Sequence, residues 1–181
     1  MAHNRNRQMK ESNVTIGLIN PKSPTNVGAV MRAAGCFRVG SVFYTGDRYV
    51  RAARFNTDTQ NASRKIPLAG VTCLLECIPE NAKIVCVEFV EGATLLPEFQ
   101  HPDKAFYIFG PEDGTIDQEI IDKADAVVYV PTIGCMNLAA SVNVVLYDRM
   151  AKSGLPMANN ELILRSRDTN NNVRIKTPGK V

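Results

Sequence analysis

Five short runs dominate this sequence: Val14–Ile19 (VTIGLI), Ser41–Tyr44 (SVFY), Ile84–Phe89 (IVCVEF), Ala105–Phe109 (AFYIF) and Ala126–Val130 (AVVYV). Each is almost unbroken in its apolar character. A strand with one wet face alternates apolar and polar residues, so runs that lack the alternation read as strands buried on both faces. Helical spacing separates them. From Asn26, NVGAVMRAAGCF sets Val27, Val30, Met31 and Ala34 on one helix face, with Thr25 or Asn26 as the N-cap. A short helix is expected near Val71–Cys77, another over Ile116–Lys123, and a long one over Asn137–Ala151. Buried strands alternating with helices predict an α/β fold, a mostly parallel sheet with helices on both faces.

The chain has 181 residues, of which 45% are hydrophobic and 22% charged, enough for one ordinary domain whose core needs no disulfide or metal staple. We place that domain at 13–158, after a flexible segment 1–12 and before a polar, Asn-rich, flexible tail at 159–181. No apolar stretch approaches the roughly 20 residues of a membrane-spanning helix. Met1–Ser12 also lacks the apolar segment of a secretory signal, so a cytoplasmic location without membrane contact is expected. The five cysteines, Cys36, Cys73, Cys77, Cys86 and Cys135, form no CxxC pair, and most sit in apolar segments, which favours buried thiols. The two histidines, His3 and His101, lie far from them in sequence, and no metal site is expected.

Charge is unevenly distributed. Lys and Arg outnumber Asp and Glu by 11 to 3 over residues 1–65 and by 7 to 2 over 149–181, whereas acidic residues lead 13 to 3 between them. The net charge of +3 therefore hides two basic segments around an acidic middle, a pattern that suits a polyanionic partner, nucleic acid first. Arg48, Arg51 and Arg54 alternate with Tyr49 and Phe55. That mixture suits phosphate contact with base stacking, and equally a solvated helix face.

The usual nucleotide cradles are missing. No two of the 12 glycines are two residues apart, which excludes GxGxxG, and no GK[ST] occurs. Neither GxSxG nor a histidine at a strand end supports Ser-His-Asp catalysis. Three polar islands remain, each following a strand, where open α/β sheets bind ligands: Asn26–Arg32, Gly110–Gly114 and Pro131–Asn137. Taken singly each has a plain structural reading. Arg32 could reach solvent or pair with a carboxylate such as Glu112, FGPEDG could be a simple turn, and Asn137 could be an N-cap.

Taken together, NVGAVMRAAGCF, FGPEDG and VPTIGCMNLAASVNVVLYD resemble the three ordered motifs of the SpoU/TrmH branch of the SPOUT superfamily, the knotted S-adenosylmethionine-dependent RNA methyltransferases. The matching positions are Asn26, Gly28 and Arg32; Phe109, Gly110 and Glu112; and Cys135-Met136-Asn137 ahead of Leu146-Tyr147-Asp148. The resemblance spans about Val14–Tyr147. It implies a deep C-terminal trefoil knot, a homodimer, S-adenosyl-L-methionine as methyl donor, and methylation of a ribose 2′-hydroxyl on tRNA or rRNA, with tRNA favoured for a chain without an accessory domain.

By the same resemblance the donor contacts fall on Glu88, Gly110, Val130, Cys135 and Met136, and the catalytic positions on Asn26, Arg32, Glu112 and Asn137. Arg48, Arg51 and Arg54 then face RNA. A guanidinium keeps its proton to about pH 12 or beyond, so Arg32 is assigned to orienting and polarising the hydroxyl, with proton abstraction as a second reading. Glu112 is expected to fix the arginine fork. The family motif carries serine where this chain has Cys135, and the loop before Asn137 is short, which also accommodates an RNA-binding protein of the same fold without catalysis. The α/β pattern alone would equally suit a flavodoxin-like small-ligand binder.

Overall fold

A computed structural model describes residues 12–53, 66–154 and 160–175. Seven strands form one sheet in the order β3-β2-β1-β6-β4-β7-β5, with every pairing parallel. They are β1 (Val14–Leu18), β2 (Ser41–Tyr44), β3 (Leu68–Gly70), β4 (Lys83–Val87), β5 (Thr94–Leu95), β6 (Ala105–Phe109) and β7 (Ala126–Tyr129). The helices are α1 (Pro24–Cys36), α2 (Arg48–Ala53), α3 (Gln118–Asp122), α4 (Leu138–Lys152) and α5 (Asn160–Ser166), with a 3-10 turn at Leu74–Cys77. Among the described residues no helix is long and apolar enough to cross a membrane.

The unbroken run AFYIF becomes the central strand, buried at all five positions. Its residues divide between two layers. Tyr107 and Phe109 join Ile16, Leu18 and Val85 under α1 and α4, while Phe106 and Ile108 join Ile84, Cys86, Leu74 and Ile116 on the opposite face. Helix α1 contributes Val27, Val30, Met31 and Ala34 to the first layer, and α4 contributes Val142, Val145 and Leu146. Each buried Val, Leu or Met among them stabilises the fold by about 1.5–3 kcal/mol. Both faces are therefore covered, as the lost polar alternation requires.

Some boundaries differ from expectation. Helix α1 begins two residues early because Ser23 is the N-cap, accepting a bond from the Asn26 amide, and Pro24 fits the first helical turn. That shift places Asn26 inside the first turn, where its side chain is free for other partners. Strands β3 and β5 have three and two residues, too few to show a period. Of the thiols expected inside, only Cys86 is buried, and burial pushes its pKa up to about 12; Cys36, at the last turn of α1, is exposed. The tail expected to be flexible from residue 159 contains α5, with Leu162, Ile163 and Leu164 exposed.

At the far end of α4 a polar cluster fastens the helix to β6. The His101 side chain is only 4% exposed and lies 2.8 Å from Asp148 through Nε2 and 2.6 Å from the Tyr107 hydroxyl through Nδ1. Arg149 donates to the same hydroxyl and to the carbonyl of Pro102, and Lys152 pairs with Asp148 while donating to the carbonyls of Leu96 and Phe99. The donors fix a tautomer: Arg149 donates to Tyr107 Oη, Tyr107 donates to Nδ1, and Nε2–H donates to Asp148.

Candidate functional site

Strands β6, β4 and β7 are neighbours in the sheet, so the loops that follow them converge at their C-terminal ends. They enclose a cleft of about 660 Å³, counting the open solvent at its mouth. Apolar walls come from Val87, Phe109, Tyr129 and Leu138, and the polar rim includes Glu88, Glu112, Thr132 and Ser141. Glu88, Gly110, Val130, Cys135 and Met136, the positions expected to contact a methyl donor, all line this one cleft.

Local backbone chemistry explains the shape. Glu88 does not point freely into the cleft, because its two carboxylate oxygens accept from the backbone N–H groups of Phe89 (2.9 Å) and Ile116 (3.1 Å). A Cβ on Gly110 would stand 2.9 Å from the Glu88 carboxylate and 3.3 Å from the Ile116 side chain, so a larger residue would displace Glu88 from its bonds to Phe89 and Ile116. The third loop turns at Gly134, where φ is +87°, and Thr132 donates to its carbonyl. Cys135 follows immediately and is exposed.

Three of the four expected catalytic residues meet at the rim. Asn137 Nδ2 donates to Asn26 Oδ1 at 2.9 Å, and Asn26 Nδ2 donates to Glu112 at 3.0 Å. Glu112 also accepts from the backbone N–H groups of Lys22 (2.8 Å) and Ser23 (3.1 Å). Asn137 is the N-cap of α4 as well, its Oδ1 accepting from Ala139 and Ala140. One chain of hydrogen bonds thus links the loop after β1, the loop after β6 and the start of α4. Partial burial alone would raise the Glu112 carboxyl, yet the bonds from Asn26, Lys22 and Ser23 hold its pKa below the ordinary value. It is an ionised acceptor at neutral pH.

Arg32 stands apart. It is exposed on α1, about 9 Å beyond Asn26 along the axis, and its side chain makes no hydrogen bond or ion pair with another described residue. The expectation that Glu112 grips its guanidinium is not met, because both Glu112 oxygens are already taken by Asn26 and the β1 loop. Arg48 and Arg51 do fall together, on the short exposed helix α2, while Arg54 lies outside the described residues. Each has an acidic partner: Arg48 forms a two-pronged bond to Asp113, and Arg51 pairs with Asp47. Asp113 and Lys22 escaped the sequence reading, although Asp113 is the residue next to Glu112 in FGPEDG. Among the described residues no group of three or more His, Cys, Asp or Glu side chains could hold a metal ion.

A parallel sheet covered on both faces, with an open cleft built by three loops at the strand ends, defines an α/β protein whose candidate site lies on its loop face and contains no glycine-rich phosphate cradle. The model of the SpoU rRNA methylase family matches residues 13–147, and the chain belongs to that family. Solved structures share the fold at low identity. AviRb from Streptomyces viridochromogenes, a SpoU methyltransferase solved with AdoMet, superposes with a TM-score of 0.62 at 16% identity, over 77% of this chain and 57% of that one. The A. aeolicus TrmH/SpoU tRNA-modifying enzyme gives 0.64 at 16% identity over 85% of both chains. A structure described as giving insights into the 2-OH methylation of C/U34 on tRNA gives 0.64 at 20% identity, over 77% of this chain and 90% of that one. This chain therefore spans little more than half of the AviRb chain. No match was found among curated proteins.

Proposed function

We propose that the protein is an S-adenosylmethionine-dependent RNA methyltransferase acting on a ribose 2′-hydroxyl, with tRNA the preferred substrate over rRNA. The observation that carries this reading is the convergence of the Asn26–Glu112–Asn137 chain on the rim of the cleft that Glu88, Gly110, Val130, Cys135 and Met136 line. The cleft suits the donor. Close approach at Gly110 keeps backbone groups available at its floor, apolar side chains flank it, and the two carboxylates on its rim favour a cation. When bound, the donor supplies an electrophilic methyl group on a positive sulfonium.

The chain's own residues would do the rest. The amides of Asn26 and Asn137 are held rigidly by Glu112 and by the first turn of α4, so they can position a ribose at the cleft mouth without reorganising. Ionised Glu112 accepts three donors and stays an anchor rather than an acid. Arg32, whose side chain has no partner among the described residues, is available to hold the 2′-hydroxyl and its adjoining phosphate and to polarise the O–H bond, whose proton passes to solvent water. Preference for tRNA draws support from coverage: the chain spans 85% and 90% of two structures whose descriptions name tRNA. The strand order supports the knot, because β6 inserts between β1 and β4 and β7 between β4 and β5, so late segments enter among earlier ones. Exposed Tyr147 and Met150 on α4 offer an apolar patch for the second copy of a homodimer.

The test is methyl transfer from labelled S-adenosylmethionine into unmodified tRNA and rRNA, with mass spectrometry of the nucleosides. A 2′-O-methylated nucleoside formed in tRNA and lost with Arg32→Ala is expected. Exposed Cys135, at the place of the family serine, favours a second reading as an RNA-binding protein without catalysis. Salt-sensitive RNA binding with no methyl incorporation would select it.

A further inference from the structure

Asp113 sits between two cations at the edge of the rim. Arg48 Nη1 and Nη2 each donate to one of its oxygens at 2.9 Å, and Lys22 Nζ approaches to 3.6 Å. The three residues come from the loops after β1 and β6 and from the start of α2, and are separated by at least 26 positions in sequence. The backbone N–H of Lys22 bonds Glu112, and Asp113 is the next residue, so this cluster adjoins the Asn26–Glu112–Asn137 chain through both segments. The planar fork that Arg48 presents to a carboxylate is the same fork that binds a phosphate through two oxygens.

The geometry points to a phosphate-binding site for the RNA backbone, made by Arg48 and Lys22, which the Asp113 carboxylate fills in the free protein. This inference rests on the RNA-methyltransferase reading above. Two cations share one carboxylate whose side chain is half exposed, so solvent and salt screen the pairing and another anion can exchange into it. A phosphodiester entering there trades one anion for another at a preformed fork, beside the asparagines that would hold the ribose. Asp113 makes the site selective by setting a threshold that a single weak anion does not cross, whereas a polyanion held at several points does. It also keeps Arg48 extended and ready when no RNA is present.

The experiment is equilibrium binding of labelled bulk tRNA to the full-length protein across a salt series. Asp113→Asn is expected to tighten binding about two- to five-fold, the fold-change that corresponds to releasing one exposed pair. Arg48→Gln is expected to weaken binding and lower the salt slope by about 0.9, one phosphate contact. In the Arg48→Gln background Asp113→Asn should gain less than it does in the parent protein, because only the 3.6 Å contact to Lys22 is left to release. Unchanged or weaker binding by Asp113→Asn, or the same gain with and without Arg48, overturns the site while leaving the methyltransferase reading standing. Absence of tRNA binding in every variant and in the parent overturns both.

Discussion

Two polar clusters ride on the same pair of elements, β6 and α4, and they behave oppositely. At the first turn of α4, Asn137, Asn26 and Glu112 lie on an exposed rim with the cleft beside them. At its last turn, His101, Tyr107, Asp148, Arg149 and Lys152 bond one another and nearby carbonyls around a His101 side chain that is almost wholly buried. The rim holds one ionisable side chain, Glu112, whereas the far cluster gathers five. Density of charge is therefore a poor guide to function. A buried network that satisfies its own members has nothing left for a ligand, whereas the rim leaves amide edges beside the cleft.

The largest effect should come from breaking the far cluster. His101→Ala removes the acceptor of the Tyr107 hydroxyl and one of the donors to Asp148, and empties a buried site, a loss of about 3 kcal/mol. For a chain of this size that lowers Tm by roughly 6–12 °C, measurable by calorimetry, with methyl transfer at low temperature nearly unchanged. Glu112→Ala should show the reverse. Freed of its anchor, Asn26 loses its position and methyl transfer falls about 100-fold, while the Tm shift stays well below that of His101→Ala. If the two variants shifted stability and activity alike, the contrast between clusters would collapse.

The smallest effect sharpens the contrast through pH. Burial pulls the His101 imidazole below its ordinary pKa of 6.5, outweighing the hydrogen bond it donates to Asp148, which pulls the other way. The folded protein keeps it neutral while the unfolded chain takes up a proton as pH falls through about 6.5. Stability present above that pH is then lost as pH falls toward the folded pKa, by at most about 1.4 kcal/mol per unit. Glu112 has the opposite position: its lowered pKa contributes stability that disappears only in the acid range, below its ordinary 4.5. Denaturant titrations between pH 7 and 5.5 should therefore show a slope that His101→Gln flattens and Glu112→Gln leaves intact.

Much of the fold could be read directly from the chain. VTIGL and AFYIF betray burial on two sides, and Asn137 ahead of an apolar helix betrays a cap. The rim was legible through three motifs that share strand ends. Contacts across long sequence separations were not: Arg48 meets Asp113 over 65 positions, and His101 meets Asp148 over 47, with no local pattern to mark either. The seven-residue helix α5 was missed because NELILRS sits in polar surroundings and buries no residue in the monomer. Ser23-Pro24 carried a start signal that the stronger period beginning at Asn26 masked.

The place of β6 in the middle of the sheet has a consequence for biosynthesis. Strand β4 pairs only with β6 and β7, both made after it, and β1 also waits for β6 on one side. At about 5–20 residues per second, β4 leaves the ribosome some 2–8 s before β7 is complete. During that interval its hydrogen-bonding edges have no native partner, and neither does one edge of β1. A nascent chain of this design invites chaperone capture or misassociation in its first half, and the sheet closes only when the C-terminal third arrives.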